Sequence, residues 1–227
     1  GIANVSAGSM TVVTAGAYNP DRRIYLVGSN GSTLGYMARL FGDAYTSEIS
    51  QPVINATVGS VDTTLYPNLT GGIDLSGQTG WSGLSGGYKA RCILENQNGD
   101  GSSFIAFGNG TNLMVGKVNA DMVPMTAFNT TGLTATQTMA TVNNMTQDAS
   151  GNIIVAGTNG GAQKVAMFSP TGGLLATFDS PGLASALGTT VAQQKSGRYI
   201  VGGYGSSNGI ISAYQNASAI SSFVLRV

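Results

Sequence analysis

The chain has 227 residues and a mass of 23.0 kDa, with ten Lys and Arg against ten Asp and Glu, so its formal net charge is zero. It holds no His, one Cys (Cys92) and one Trp (Trp81). The charge balance argues against nucleic acid, which requires clustered Lys and Arg, and the residue counts exclude a Ser-His-Asp triad or Cys–His pair and an intrachain disulfide or Cys-rich zinc site.

A 42% apolar fraction is enough for a sizeable core, while charged residues make up only 9%, against about 25% in ordinary soluble domains. Ser, Thr, Asn and Gly take over the solvating role. This composition leads us to expect an extracellular, cell-surface or virion-surface protein. No run of about 18 apolar residues is present, so no helical membrane span is expected. A first residue of Gly rather than Met suggests a trimmed, mature or excised chain.

Short apolar, β-branched or aromatic runs closed by Gly recur along the chain. They are Arg23–Gly28, Ser103–Gly108, Ser150–Gly157 and Ser196–Gly203, with closing glycines 80, 49 and 46 residues apart. Such runs predict buried strands rather than helices. A weaker strand precedes each one: Thr11–Thr14, Tyr88–Leu94, Met139–Val142 and Thr189–Ala192. Turn residues separate the two: Asn19-Pro-Asp21, Asn98-Gly-Asp-Gly101, Asp148-Ala-Ser-Gly151 and Lys195-Ser-Gly197. Further strands follow at Tyr36–Phe41, Leu113–Val118, Lys164–Phe168 and Ile210–Tyr214, then at Leu174–Phe178 and Ala219–Leu225.

Each unit therefore predicts four short antiparallel strands, the size of a propeller blade. The fold class is all-β: a β-propeller-like array of about four blades, near 9–57, 86–133, 134–183 and 184–227, forming a single domain. Residues near 58–85 break the period and read as a long inserted loop, or as a degenerate hairpin or partial blade. Closure is open at this level. Four blades could close tightly, the irregular segment could add a partial fifth, or copies of the chain could associate to cover exposed edges.

The third unit, Gln147-Asp-Ala-Ser-Gly-Asn-Ile-Ile-Val-Ala-Gly157 followed by Val165–Gly173 and Thr177-Phe-Asp179, resembles the delta-60 repeat family. Tyr36–Phe41 echoes the middle of that pattern. The resemblance covers about three quarters of the chain and implies propeller blades of bacterial surface or secreted proteins, with no common reaction attached. The family's Asp-Gly before the first strand is Ser-Gly here in two units and Asp-Arg in one.

Candidate sites are few. Trp81 and Tyr66 in the irregular segment could stack on a sugar or meet a partner, or pack against the blades. The N-x-[ST] pattern occurs at Asn4, Asn30, Asn55, Asn68, Asn109, Asn129, Asn144 and Asn216, either through composition alone or as glycan acceptors. Asn96–Gly101 spaces oxygens like the start of a calcium loop but lacks the first Asp and the twelfth Glu, and reads better as a hairpin turn. Cys92 reads as a buried small hydrophobe. Neither catalytic residues nor a cofactor or metal site are expected.

The function expected is a non-enzymatic structural, assembly or adhesion module, with a protein partner or self-association, no nucleic acid and no membrane span. A carbohydrate-binding propeller is the alternative, and a carboxylate-dependent glycoside hydrolase the second alternative.

Overall fold

The computed structural model describes residues 12–18, 23–29, 35–41, 73–75, 78–179, 186–205, 208–215 and 218–225. Four antiparallel sheets follow one another along the chain, each with its strands in sequence order. Blade 1 holds β1 (Val12–Tyr18), β2 (Arg23–Ser29), β3 (Gly35–Phe41) and β4 (Ile73–Asp74). Blade 2 holds β5 (Lys89–Glu95), β6 (Ser103–Gly108), β7 (Asn112–Val118) and β8 (Gln137–Thr138). Blade 3 holds β9 (Thr141–Gln147), β10 (Ile153–Asn159), β11 (Ala162–Phe168) and β12 (Leu174–Asp179). Blade 4 holds β13 (Ala186–Gln193), β14 (Tyr199–Gly205), β15 (Asn208–Gln215) and β16 (Ser218–Leu225). This is the expected all-β, propeller-like array of four blades.

The Gly-closed runs become the second strands, β2, β6, β10 and β14. Every residue of β6 is buried, because its two faces pack on different neighbours. Such a strand reads as a continuous apolar run rather than an alternating one. Phe104 joins the cluster shared with blade 3, while Ile105 and Phe107 join the cluster shared with blade 1. One apolar cluster thus fills each of the three interfaces between successive blades. Among the described residues, blades 4 and 1 share no such cluster.

The first strand of every blade carries one unpaired residue: Thr14, Arg91, Asn143 and Thr189. This β-bulge bends the strand and raises its twist. At two bulges the facing position must be Gly. A Cβ on Gly157 would lie 1.8 Å from the Thr141 carbonyl oxygen, and one on Gly203 would lie 1.7 Å from the Leu187 oxygen. At Gly157 and Gly203 the Gly that closes the run is therefore a packing requirement, not only a turn signal.

The described part of the irregular segment, 73–75 and 78–85, is not loop throughout. Ile73 and Asp74, inside 58–85, pair with Met37 and Tyr36 as the outer strand of blade 1. Two residues are too few to show period-2 alternation, so no sequence signal marked them. Residues 78–87 then fold inward around a 3₁₀ turn at Ser82–Ser85, burying Trp81 and Leu84.

Candidate functional site

Trp81 does not form an exposed stacking surface. It is 0% exposed, its ring meets Phe107 edge-on with centroids 5.3 Å apart, and its indole N–H donates to the Gly132 carbonyl at 2.9 Å. Gly116 and Gly132 leave the space it fills, since a Cβ at either would lie 2.6 and 2.8 Å from the indole. A large apolar ring with one satisfied N–H is more stable packed than solvated, so Trp81 is a core anchor between blades 1 and 2. Tyr66 lies outside the described residues.

Of the sequons, Asn4, Asn30, Asn55, Asn68 and Asn216 also lie outside the described residues. Asn109, Asn129 and Asn144 are half-buried. Asn109 Oδ1 accepts from the Thr111 and Asn112 N–H groups, and Asn129 Nδ2 donates to the Leu133 carbonyl at 2.9 Å. Both side chains are engaged in closing their own turns. Cys92 is buried, and burial pushes its thiol up to about 12.

A groove of about 470 Å³ opens between blades 2 and 3. Its walls are two hairpin turns. Asn96, Gln97 and Asn98 follow β5, and Asp148, Ala149, Ser150 and Gly151 follow Gln147 at the end of β9; Phe104, Lys117 and Pro170 complete it. The sequence marked both turns by their Asn, Asp and Gly residues, but not that they come together.

The β5–β6 turn is organised by Asp100. Its carboxylate accepts from the Ser102 N–H at 2.9 Å, from the Ser102 hydroxyl, and from Asn98 Nδ2 at 3.1 Å, and Lys117 Nζ lies 3.4 Å away. Burial pushes this carboxyl up, but the Ser102 and Asn98 hydrogen bonds and the Lys117 charge outweigh burial and hold it well below the usual carboxylate range. Lys117 also sits 5.4 Å over the Phe104 ring. Of the oxygens that gave Asn96–Gly101 its calcium-like spacing, those of Asn98 and Asp100 are used within the turn and Asn96 Oδ1 is used by Gln147.

In the β9–β10 turn, Asp148 accepts from the Ser150 and Asn152 N–H groups at 2.9 and 2.8 Å, from Asn152 Nδ2 at 2.8 Å and from the Tyr199 hydroxyl of blade 4 at 2.7 Å. Burial raises this carboxyl, and the four donors, the tyrosine first, bring it below its ordinary value. Gln147 ties the two turns together. Its Oε1 accepts from the Gln97 N–H at 2.8 Å, and its Nε2 donates to Asn96 Oδ1 at 3.0 Å. Gln193 repeats the first of these bonds one blade on, accepting from the Ala149 N–H at 3.1 Å.

Chemically, the groove offers amides, backbone polar groups and an ion pair. Asp148 lines the groove and Asp100 stands beside it as the partner of Lys117; both carboxyls are held below their ordinary value by donors within reach.

No protein-family profile and no curated protein matches the sequence. Similarity is found to solved structures. The Dos1 propeller is 12% identical with a TM-score of 0.54, the match covering 92% of this chain and 47% of that one. A catalytically inactive virginiamycin B lyase from Staphylococcus aureus, with quinupristin, is 7% identical with a TM-score of 0.54, over 99% of this chain and 58% of that one. The Neurospora crassa Pan2 WD40 domain is 10% identical with a TM-score of 0.50, over 93% and 49%. The chain spans about half the length of these propellers, and the likeness extends to the fold: four blades set against one another as in a β-propeller.

Proposed function

We propose that the protein is a non-enzymatic interaction module of the propeller type, which binds a protein partner across the groove between blades 2 and 3. The observation carrying this reading is the state of Asp100 and Asp148. A glycosidase needs one carboxylic acid that keeps its proton near neutral pH. Both carboxyls here are held the other way, and their donors serve the turns. The groove's exposed wall residues, Gln97, Asn98, Ala149 and Ser150, suit peptide and side-chain amide recognition more than chemistry.

A carbohydrate ligand is the second reading, favoured by the amides of Asn96, Gln97, Asn98 and Gln147. Against it, Phe104 is 1% exposed and offers no face for a sugar ring to stack on. The delta-60-like assignment rests on Gln147–Gly157, and the exported or particle-surface setting rests on the low charge; both belong to this proposal.

The test is a glycan array combined with a broad chromogenic glycoside panel, on the parent and on Lys117→Glu. The proposal expects no turnover and no saturable glycan signal. Saturable glycan binding lost in Lys117→Glu would replace the lead reading with the lectin. Turnover lost in Asp148→Asn would overturn the non-enzymatic assignment.

A further inference from the structure

The joints between blades repeat. At blade 1, the bulge residue Thr14 places its hydroxyl 2.6 Å from the Ala90 carbonyl of blade 2, with the Val27 carbonyl of its own blade at 3.1 Å. Ala90 immediately precedes the bulge of blade 2. At blade 3, the bulge residue Asn143 donates at 2.6 Å to the Gly188 carbonyl, which immediately precedes the bulge of blade 4. At two of the three joints, between blades 1 and 2 and between blades 3 and 4, a bulge side chain thus reaches the carbonyl just before the next blade's bulge.

Blade 4 presents the same device at its outer side. Thr189 is exposed, and its hydroxyl lies 3.1 Å from the Gly202 carbonyl, as that of Thr14 does from Val27. Around it, Tyr204 is 54% exposed and Ile200 and Ile211 are half-buried, all on the face turned away from blade 3. Blade 1 presents the matching half. The residue before its bulge is Val13, 53% exposed, with Tyr18 at 54% on the same face.

We infer that blade 4 of one copy docks on blade 1 of a second copy, Thr189 donating to the Val13 carbonyl, so that two chains close head to tail into an eight-bladed ring. Three observations favour a second copy as the occupant. Among the described residues, these two faces are uncovered and are the two halves of a joint already made between blades 1 and 2 and between blades 3 and 4. The chain spans 47–58% of the larger propellers it resembles, so ring closure of that kind needs further blades. The zero net charge opposes no self-contact. Eight blades is within the usual range for propellers, and a two-fold axis makes both joints equivalent and closes the assembly. This inference is independent of the groove between blades 2 and 3.

Sedimentation equilibrium on the protein tests it. The expected mass is twice the 23.0 kDa of the chain. Thr189→Ala is expected to weaken the dimer about thirtyfold, since one hydrogen bond is lost at each of two joints. Thr189→Ser retains the hydroxyl and is expected to restore it. A short bis-maleimide is expected to join a mixture of Val13→Cys and Thr189→Cys chains and to join neither variant alone. A monomer, a mass that grows past two chains, or crosslinking within a single variant would each overturn the inference.

Discussion

The Tyr199 hydroxyl of blade 4 donates to the Asp148 carboxylate of blade 3 at 2.7 Å, within the turn that forms one wall of the groove. Desolvation and then this bond raise the Tyr199 phenol above its ordinary value, while the same bond helps hold Asp148 down. Stability from Asp148 is present above its unfolded value near 3.8 and is lost as pH falls through the lower folded value. Stability from Tyr199 is present below its unfolded value near 10.0 and is lost as pH rises through the higher folded value. Tyr199→Phe is expected to cost about 1.5–3 kcal/mol between those limits. It is also expected to flatten the alkaline limb of a urea-midpoint profile taken across pH.

Gly157→Ala and Gly203→Ala each force a Cβ against a backbone carbonyl. Both are expected to destabilise by about 2–4 kcal/mol, the range of severe single substitutions. At Gly83 the nearest atom to an added Cβ is 3.5 Å away, at the end of Leu133. Gly83→Ala is therefore expected to stay within about 0.5 kcal/mol. Equal losses at all three positions in chemical denaturation would count against the bulge geometry.

How far the sequence revealed these features differs from case to case. Runs such as Ser103–Gly108 announced buried strands because both faces are covered. The glycines that close them announced the repeat without announcing the bulges, since a bulge lies in the partner strand's register. Ile73–Asp74 was hidden by its length. For Trp81 the sequence left stacking on a ligand and packing against the blades both open, because the apolar surface that receives it, Phe107 and Leu133, is distant in sequence; the structure shows packing. The groove was legible only as two separate turns. What joins them is Gln147, a residue type common in loops and informative only through its partners.

Trp81 is the sole tryptophan, so its fluorescence reports on the core between blades 1 and 2. A blue-shifted native emission is expected, with a single red shift on unfolding. Trp81→Ala is expected to cost about 3–5 kcal/mol from lost burial and the cavity left behind. A water-like emission maximum in the native protein would contradict the burial described.

Cys92 is expected to resist aromatic disulfide reagents at pH 8 in the native protein, because thiolate is the reactive form and burial keeps this thiol protonated. Reaction is expected to be complete in denaturant. Rapid labelling under native conditions would show that the interface between blades 2 and 3 opens readily.

The claim that the groove between blades 2 and 3 binds a protein partner is tested most directly by site-specific photocrosslinking in the natural source. The photoreactive group is placed at Gln97 or Ala149, on facing walls of the groove, and at Lys195, the corresponding turn position of blade 4. The account predicts one discrete adduct of the same mass from both Gln97 and Ala149, abolished by Lys117→Glu and absent from Lys195. Adducts from all three positions alike, or none from the two groove positions, would contradict it.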